Sequence, residues 1–178
     1  MQFVKSLVWA IGLLTISAIA LVNSASAAGF VKLSGTRFTM EVPAAWEPGY
    51  KDVDNKMLMI YFTRPKTDTA LEGVYLRKVQ DASFSLADFK KWRIEAEGKR
   101  YAGKDFKVLK EGELSIGGEK GNFLETAWRD GGKHYVKYTA QYLKDGGQYM
   151  VVLHGVVGKV NKKVFDHAVK TFAVAASK

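Results

Sequence analysis

The chain has 178 residues, no cysteine and a formal charge of +9. That length suits one ordinary domain with a core that needs no covalent staples, and the missing cysteines exclude disulfides, thiolate metal sites and cysteine nucleophiles. The positive balance favours anionic partners and opposes self-association.

The N-terminus reads as a secretory signal peptide, residues 1–27. Lys5 is its single charge, residues 7–22 carry none, and Ala25-Ser26-Ala27 fits an A-x-A cleavage site. The apolar run is shorter than the roughly 20 residues of a spanning helix. No cysteine offers a lipid attachment point. We therefore expect cleavage after Ala27 and a free, periplasmic or secreted monomer of residues 28–178 with no membrane anchor. Only Lys5 is lost from the +9, so the mature chain carries +8. In the precursor, residues 7–22 should form a helix projecting from the domain. Outside the cytoplasm the available anions are phospholipid head groups, acidic glycans and acidic proteins; nucleic acid is not an expected partner.

Residues 37–42 alternate, with Phe38, Met40 and Val42 on one face, and predict a strand that Pro43 stops. Trp46, between Pro43 and Pro48, sits in a stiff corner. Residues 56–63 predict a second strand, residues 64–72 a loop, and residues 73–80 a third strand with Val74 and Leu76 on one face and Tyr75 and Val79 on the other. A helix follows. Ser85 is its N-cap, Asp88 completes an acidic capping box, and Phe84 and Phe89 form a hydrophobic staple. Leu86, Phe89, Trp92 and Ala96 fall on its apolar face. The pattern weakens at Gly98 and Gly103, before Lys104.

Residues 106–116, 121–129, 135–143 and 149–157 then predict an antiparallel meander. Gly117-Gly118, Asp130-Gly131-Gly132 and Asp145-Gly146-Gly147 supply the turns. The last strand is apolar on both faces and should be central. A closing helix begins at the N-cap Asn161, is stapled by Val160 and Phe165, and carries the stripe Val164, Phe165, Ala168, Val169 and Phe172. The expected class is α+β: an antiparallel meander with helices packed on it, in an α/β/α-like sandwich.

Several local features resemble the PsbP-like fold family. They are the entry Phe38-Thr39-Met40-Glu41-Val42-Pro43-Ala44-Ala45-Trp46, the helix start Ser85-Leu86-Ala87-Asp88-Phe89, the step Ile116-Gly117-Gly118 to Gly121, and the closing helix from Phe165 to Phe172. The resemblance covers residues 30–174. That family includes photosystem II extrinsic proteins, a nuclear Ran-binding protein and many exported bacterial proteins of unknown role. It implies a shared scaffold without common catalytic residues, and it carries no site across.

Site chemistry is sparse. The three histidines are His134, His154 and His167. If Asp145-Gly146 closes a two-residue turn, His154 faces Lys137, three residues from His134 and on the opposite sheet face; a three-residue turn lengthens the offset. His167 lies on the polar side of its helix. No metal site or cofactor is expected. There is no Gly-x-Ser-x-Gly elbow. Glu95 and Glu97 point apart, and Glu111 and Glu113 form either an acid pair or a solvated edge. Gly117-Gly118 lacks the Gly-Lys-Ser/Thr ending of a phosphate loop and reads as a turn. No catalytic residue is assigned.

Two sets of side chains could bind a partner. Lys90, Lys91, Arg93, Lys99 and Arg100, continued by Lys104 and Lys107, form either a positive ridge for an anion or partner, or a solvated helix face. Trp46, Tyr50, Tyr61, Tyr75, Trp92, Trp128, Tyr135, Tyr138, Tyr142 and Tyr149 either line an apolar groove or fill a core. The expected function is a non-catalytic accessory or binding protein of the bacterial cell envelope, holding an envelope protein or an anionic surface. A carrier of a small apolar ligand or lipid is the first alternative, and a hydrolase with unrecognised residues the second.

Overall fold

The structure, a computed structural model, describes residues 25–26, 29–34, 37–53, 57–76 and 83–175. The expected helix at 7–22 lies outside these residues, as do Lys56 and the end of the predicted third strand with Val79.

The central layer is a fully antiparallel seven-stranded sheet in the order β4-β5-β6-β10-β9-β8-β7. Its strands are β4 (Glu47–Val53), β5 (Met57–Thr63), β6 (Ala70–Leu76), β7 (Lys107–Ile116), β8 (Glu119–Asp130), β9 (Lys133–Lys144) and β10 (Gly147–Val156). A smaller antiparallel sheet comprises β1 (Ala25–Ser26), β2 (Phe30–Ser34), β3 (Phe38–Pro43) and β11 (Ala173–Val174). The helices are α1 (Leu86–Arg100) and α2 (Lys162–Thr171). Among the described residues, no helix is long and apolar enough to cross a membrane.

Strand parity places the helices. On β10, Met150 and Val152 pack with Phe89 of α1, while Tyr149, Val151 and Leu153 join the core with Phe165, Ala168 and Val169 of α2. Odd and even residues of a strand point to opposite faces, so α1 and α2 cover opposite sides of the sheet. The small sheet shares the α2 side and contributes Leu33, Phe38, Met40 and Val42 to the same core. Gly73 makes that approach possible: a Cβ there would stand 2.4 Å from the Phe38 ring.

The meander follows the expected pattern. β10 is the middle strand of the seven, buried on both faces from Tyr149 to Leu153. Its three hairpins turn on Gly117-Gly118, Gly131-Gly132 and Asp145-Gly146, and all six residues have positive φ. Both central residues of a type I′ turn need that conformation, which matches the right-handed twist of the strands. The Asp145-Gly146 turn sets the register at Lys144↔Gly147 and therefore His154↔Lys137.

The capping expectations hold as well. Ser85 Oγ accepts from the Asp88 N–H at 3.2 Å and Asp88 Oδ2 accepts from the Ser85 N–H at 2.9 Å, with the Phe84 and Phe89 rings 6.2 Å apart. Asn161 Oδ1 caps α2 through the Lys163 N–H.

Four features differ from the expectations. β2 was not anticipated; it pairs along β3 and buries Leu33. β4 was not anticipated either: in the sequence Pro48 marks only one side of the stiff corner at Trp46, yet an outer strand tolerates a missing donor. The loop after β5 ends at Thr69, because Ala70 already pairs with both Thr63 and His154. Finally, Trp92 is 44% exposed, and the buried line on α1 runs instead through Phe89 and Glu97, with Arg93 half-buried between them.

Both outer strands are poor templates for a further strand. β4 carries Pro48, and β7 has an irregularity between Val108 and Lys110 together with Lys107, Lys110, Glu111 and Glu113.

Candidate functional site

Under the C-terminal half of α1 the sheet is polar. Lys137 and Thr126 on β9 and β8, and Glu72 and His154 on β6 and β10, share the face that carries Val74 and Val152. With Arg93, Arg100 and Tyr101 from the end of α1, Lys137, Glu72 and His154 line a cleft of about 550 Å³, together with Asp68, Lys104, Asp130 and Trp128.

Glu97 organises the floor. Its Oε1 accepts from Lys137 Nζ at 2.9 Å and forms an ion pair with Arg93 Nη2 at 2.9 Å, and its Oε2 accepts from Thr126 Oγ1 at 3.1 Å. The Lys137 and Glu97 side chains are each 4% exposed. Lys137 Nζ also donates to the Tyr101 hydroxyl at 3.1 Å and lies over the Tyr101 and Trp128 rings. Those rings stack at 4.3 Å, and Trp128 stacks on Tyr135 at 5.1 Å. A buried ammonium so enclosed is held by a carboxylate, a hydroxyl and two π faces, which replace its lost water.

Glu72 and His154 form the second pair, 3.1 Å apart. Burial pushes the Glu72 carboxyl up, but its hydrogen bond to His154 and the charges of His154, Lys137 and Arg93 outweigh that and hold it below the usual carboxylate range. Its ionised form therefore supports the fold at neutral pH, and that support fades as pH falls through the folded-state value. The rim is tied by Lys104–Asp130 at 2.8 Å and Lys133–Asp68 at 2.7 Å. The Lys133 hydrogen bond holds the Asp68 carboxyl below its usual range.

The structure splits the predicted basic ridge. Lys90 pairs with Glu111 at 2.6 Å and Lys107 with Asp105 at 3.2 Å. Arg93, 17% exposed at its side chain, turns inward to Glu97 and leaves the ridge. Lys104 goes to the rim. Lys91, Lys99 and Arg100 remain exposed and make no ion pair among the described residues. Arg93, Arg100 and Lys104 meet in the cleft; Lys90, Lys91 and Lys99 do not line it.

Other expectations resolve as follows. Glu113 pairs with Lys120 and Glu111 with Lys90, so the two form a solvated edge and not an acid pair. His167, expected on the polar side, reaches Glu41 Oε2 at 2.7 Å and packs on the Phe30 ring, joining α2 to the small sheet. Of the aromatic set, Trp128, Tyr142 and Tyr149 are buried, and Trp46, Tyr75 and Tyr138 pack against the α2-side core. Glu72, Glu97, Lys137 and His154 were not anticipated as a cluster. The available signal was Arg93 and Glu97 four residues apart on one helix, a spacing that lets a salt bridge form.

No protein-family model matches the sequence, and no curated protein does. Solved structures do match. The cyanobacterial PsbP (CyanoP) of Synechocystis superposes with a TM-score of 0.61 at 14% identity, covering 86% of this chain and 99% of that one. The Saccharomyces cerevisiae Ran-binding protein Mog1p gives 0.58 at 11%, covering 82% and 94%. LpqN of Mycobacterium tuberculosis, described as involved in cell envelope biogenesis, gives 0.53 at 12%, covering 78% and 83%. The chain has the PsbP-like fold, as its entry, helix-start and closing-helix residues implied. At these identities the likeness shows the fold alone.

Proposed function

We propose that the mature protein is an exported, non-catalytic accessory protein of the cell envelope that holds an anionic partner. The observation that carries this reading is that, among the described residues of α1, Lys91, Lys99 and Arg100 form no ion pair, in a chain of net positive charge. The cleft at the end of α1 is lined chiefly by charged and polar side chains, which favours a charged occupant there over an apolar cargo. LpqN, a protein of the same fold, acts in envelope biogenesis.

Cross-linking in the intact envelope tests the reading. Capture of the partner should fall steeply with added salt, because exposed charges are screened within about 8 Å at physiological ionic strength. Lys91→Gln with Lys99→Gln should weaken capture several-fold and leave the melting temperature unchanged, since both side chains are exposed and unpaired. Arg93 is left intact because it serves the buried network. Capture that ignores both salt and the double substitution would contradict the proposal.

Export is checked independently. N-terminal sequencing of the envelope-localised protein should begin at Ala28, the residue after the Ala25-Ser26-Ala27 signal. A sequence beginning at Met1 would refute processing.

A further inference from the structure

The cleft floor has more positive charge and more hydrogen-bond donors than its own acceptors use. Arg93 and Lys137 converge on one oxygen of Glu97, each at 2.9 Å. Triangle geometry then places the two cationic nitrogens no more than about 6 Å apart, where like charges repel strongly in a partly dry site. Arg100 lines the same cleft without an ion pair. Among the described residues, the carboxylates against Arg93, Lys137 and Arg100 are Glu97 and Glu72, because Asp68 and Asp130 are matched at the rim by Lys133 and Lys104.

Donor supply shows the same surplus. Lys137 Nζ has three N–H groups and spends them on Glu97 and Tyr101, leaving one. Arg93 Nε is buried and has no acceptor. A buried guanidinium N–H without a partner is rare in native structures and calls for an explanation. The unspent donors belong to three residues of one cleft whose volume, about 550 Å³, is within the range of small-ligand sites.

We propose that this cleft is a binding site for a small organic monoanion, whose carboxylate or phosphodiester oxygens are taken by Arg93, Arg100 and Lys137. One negative charge balances the surplus. A guanidinium edge matches the planar pair of oxygens that both groups present. The rim pairs Lys104–Asp130 and Lys133–Asp68 hold the cleft walls in place beside the opening. This site shares Arg100 with the proposed partner surface but not the outward-facing Lys91 and Lys99, and the proposal stands whether or not those two lysines capture a partner.

Acetate and dimethyl phosphate are the probes for the two oxyanion types, titrated at constant ionic strength against chloride. The readout is the Trp128 indole N–H resonance, because Lys137 Nζ lies 5.3 Å from that ring. At least one probe should shift the resonance saturably and raise the melting temperature. Acetate alone identifies a carboxylate, dimethyl phosphate alone a phosphodiester, and both together a general oxyanion site. Arg100→Gln, at an exposed helix end, should fold normally and weaken binding about tenfold, the value of one charge-assisted contact. Lys91→Gln with Lys99→Gln should leave it unchanged. The proposal is overturned if neither probe saturates, if chloride acts equally, or if Arg100→Gln binds as tightly as the parent.

Discussion

Glu97→Ala should destabilise the protein by about 3–5 kcal/mol, the usual cost of breaking a buried ion pair from one side. Among the described residues, this carboxylate is the one ion-pair partner that Lys137 and Arg93 share, and the Glu97 and Lys137 side chains are 4% exposed. Its removal leaves a buried ammonium with only the Tyr101 hydroxyl and two rings, and leaves Thr126 Oγ1 without its acceptor. Alanine itself suits a helix, so backbone propensity does not add to the loss. Urea denaturation followed by far-ultraviolet circular dichroism measures it. A companion variant separates charge from packing. Glu97→Met with Lys137→Met and Arg93→Met removes all three charges and keeps the volume, and should recover most of the loss, because the desolvation cost disappears with the network. A Glu97→Ala loss below about 1 kcal/mol would mean that water, and not Glu97, satisfies Lys137.

That network also marks the limit of what the sequence disclosed. Periodicity finds faces by their apolar residues, so it located the α2 stripe, the central β10 and the staple at Phe84 and Phe89. It failed where a polar face was buried. On β9, Lys137, Thr139 and Gln141 alternate with Val136, Tyr138 and Ala140, which reads as a solvated face, yet all three polar residues are buried beneath α1. The matching surface of α1 is therefore Phe89, Arg93 and Glu97, while Trp92 turns to solvent. Complementary charge across two elements decides that rotation, and no window along one element contains it. β4 escaped notice for a different reason. Its Pro48 and Gly49 are unfavourable in a strand, and its place at the sheet edge, which makes them tolerable, is a property of the assembled fold. The turns were legible because their requirement is local: positive φ at two consecutive residues selects Gly-Gly or Asp-Gly.

Phe165→Ala should cost about 3–5 kcal/mol on the other side of the sheet. The residue is 1% exposed, and its ring lies 6.1 Å from Phe123 and 5.8 Å from Tyr138. The neighbouring rings belong to β8 and β9, whose backbones are fixed by pairing on both sides, so the cavity cannot collapse readily and its full cost is felt. Asp166→Ala is the control one residue along. Its bond to Lys162 is an exposed i,i+4 pair, and such pairs are worth a few tenths of a kcal/mol. Denaturation midpoints should separate the two variants clearly; a Phe165→Ala loss below about 1 kcal/mol would show that α2 is held chiefly by its links to β3 through His167 and Thr171. Glu97 and Phe165 lie on opposite faces with no shared partner, so their effects should add. The sum approaches the roughly 5–15 kcal/mol that stabilises a typical domain. The double variant should therefore be largely unfolded at 25 °C, whereas either single variant retains a cooperative transition.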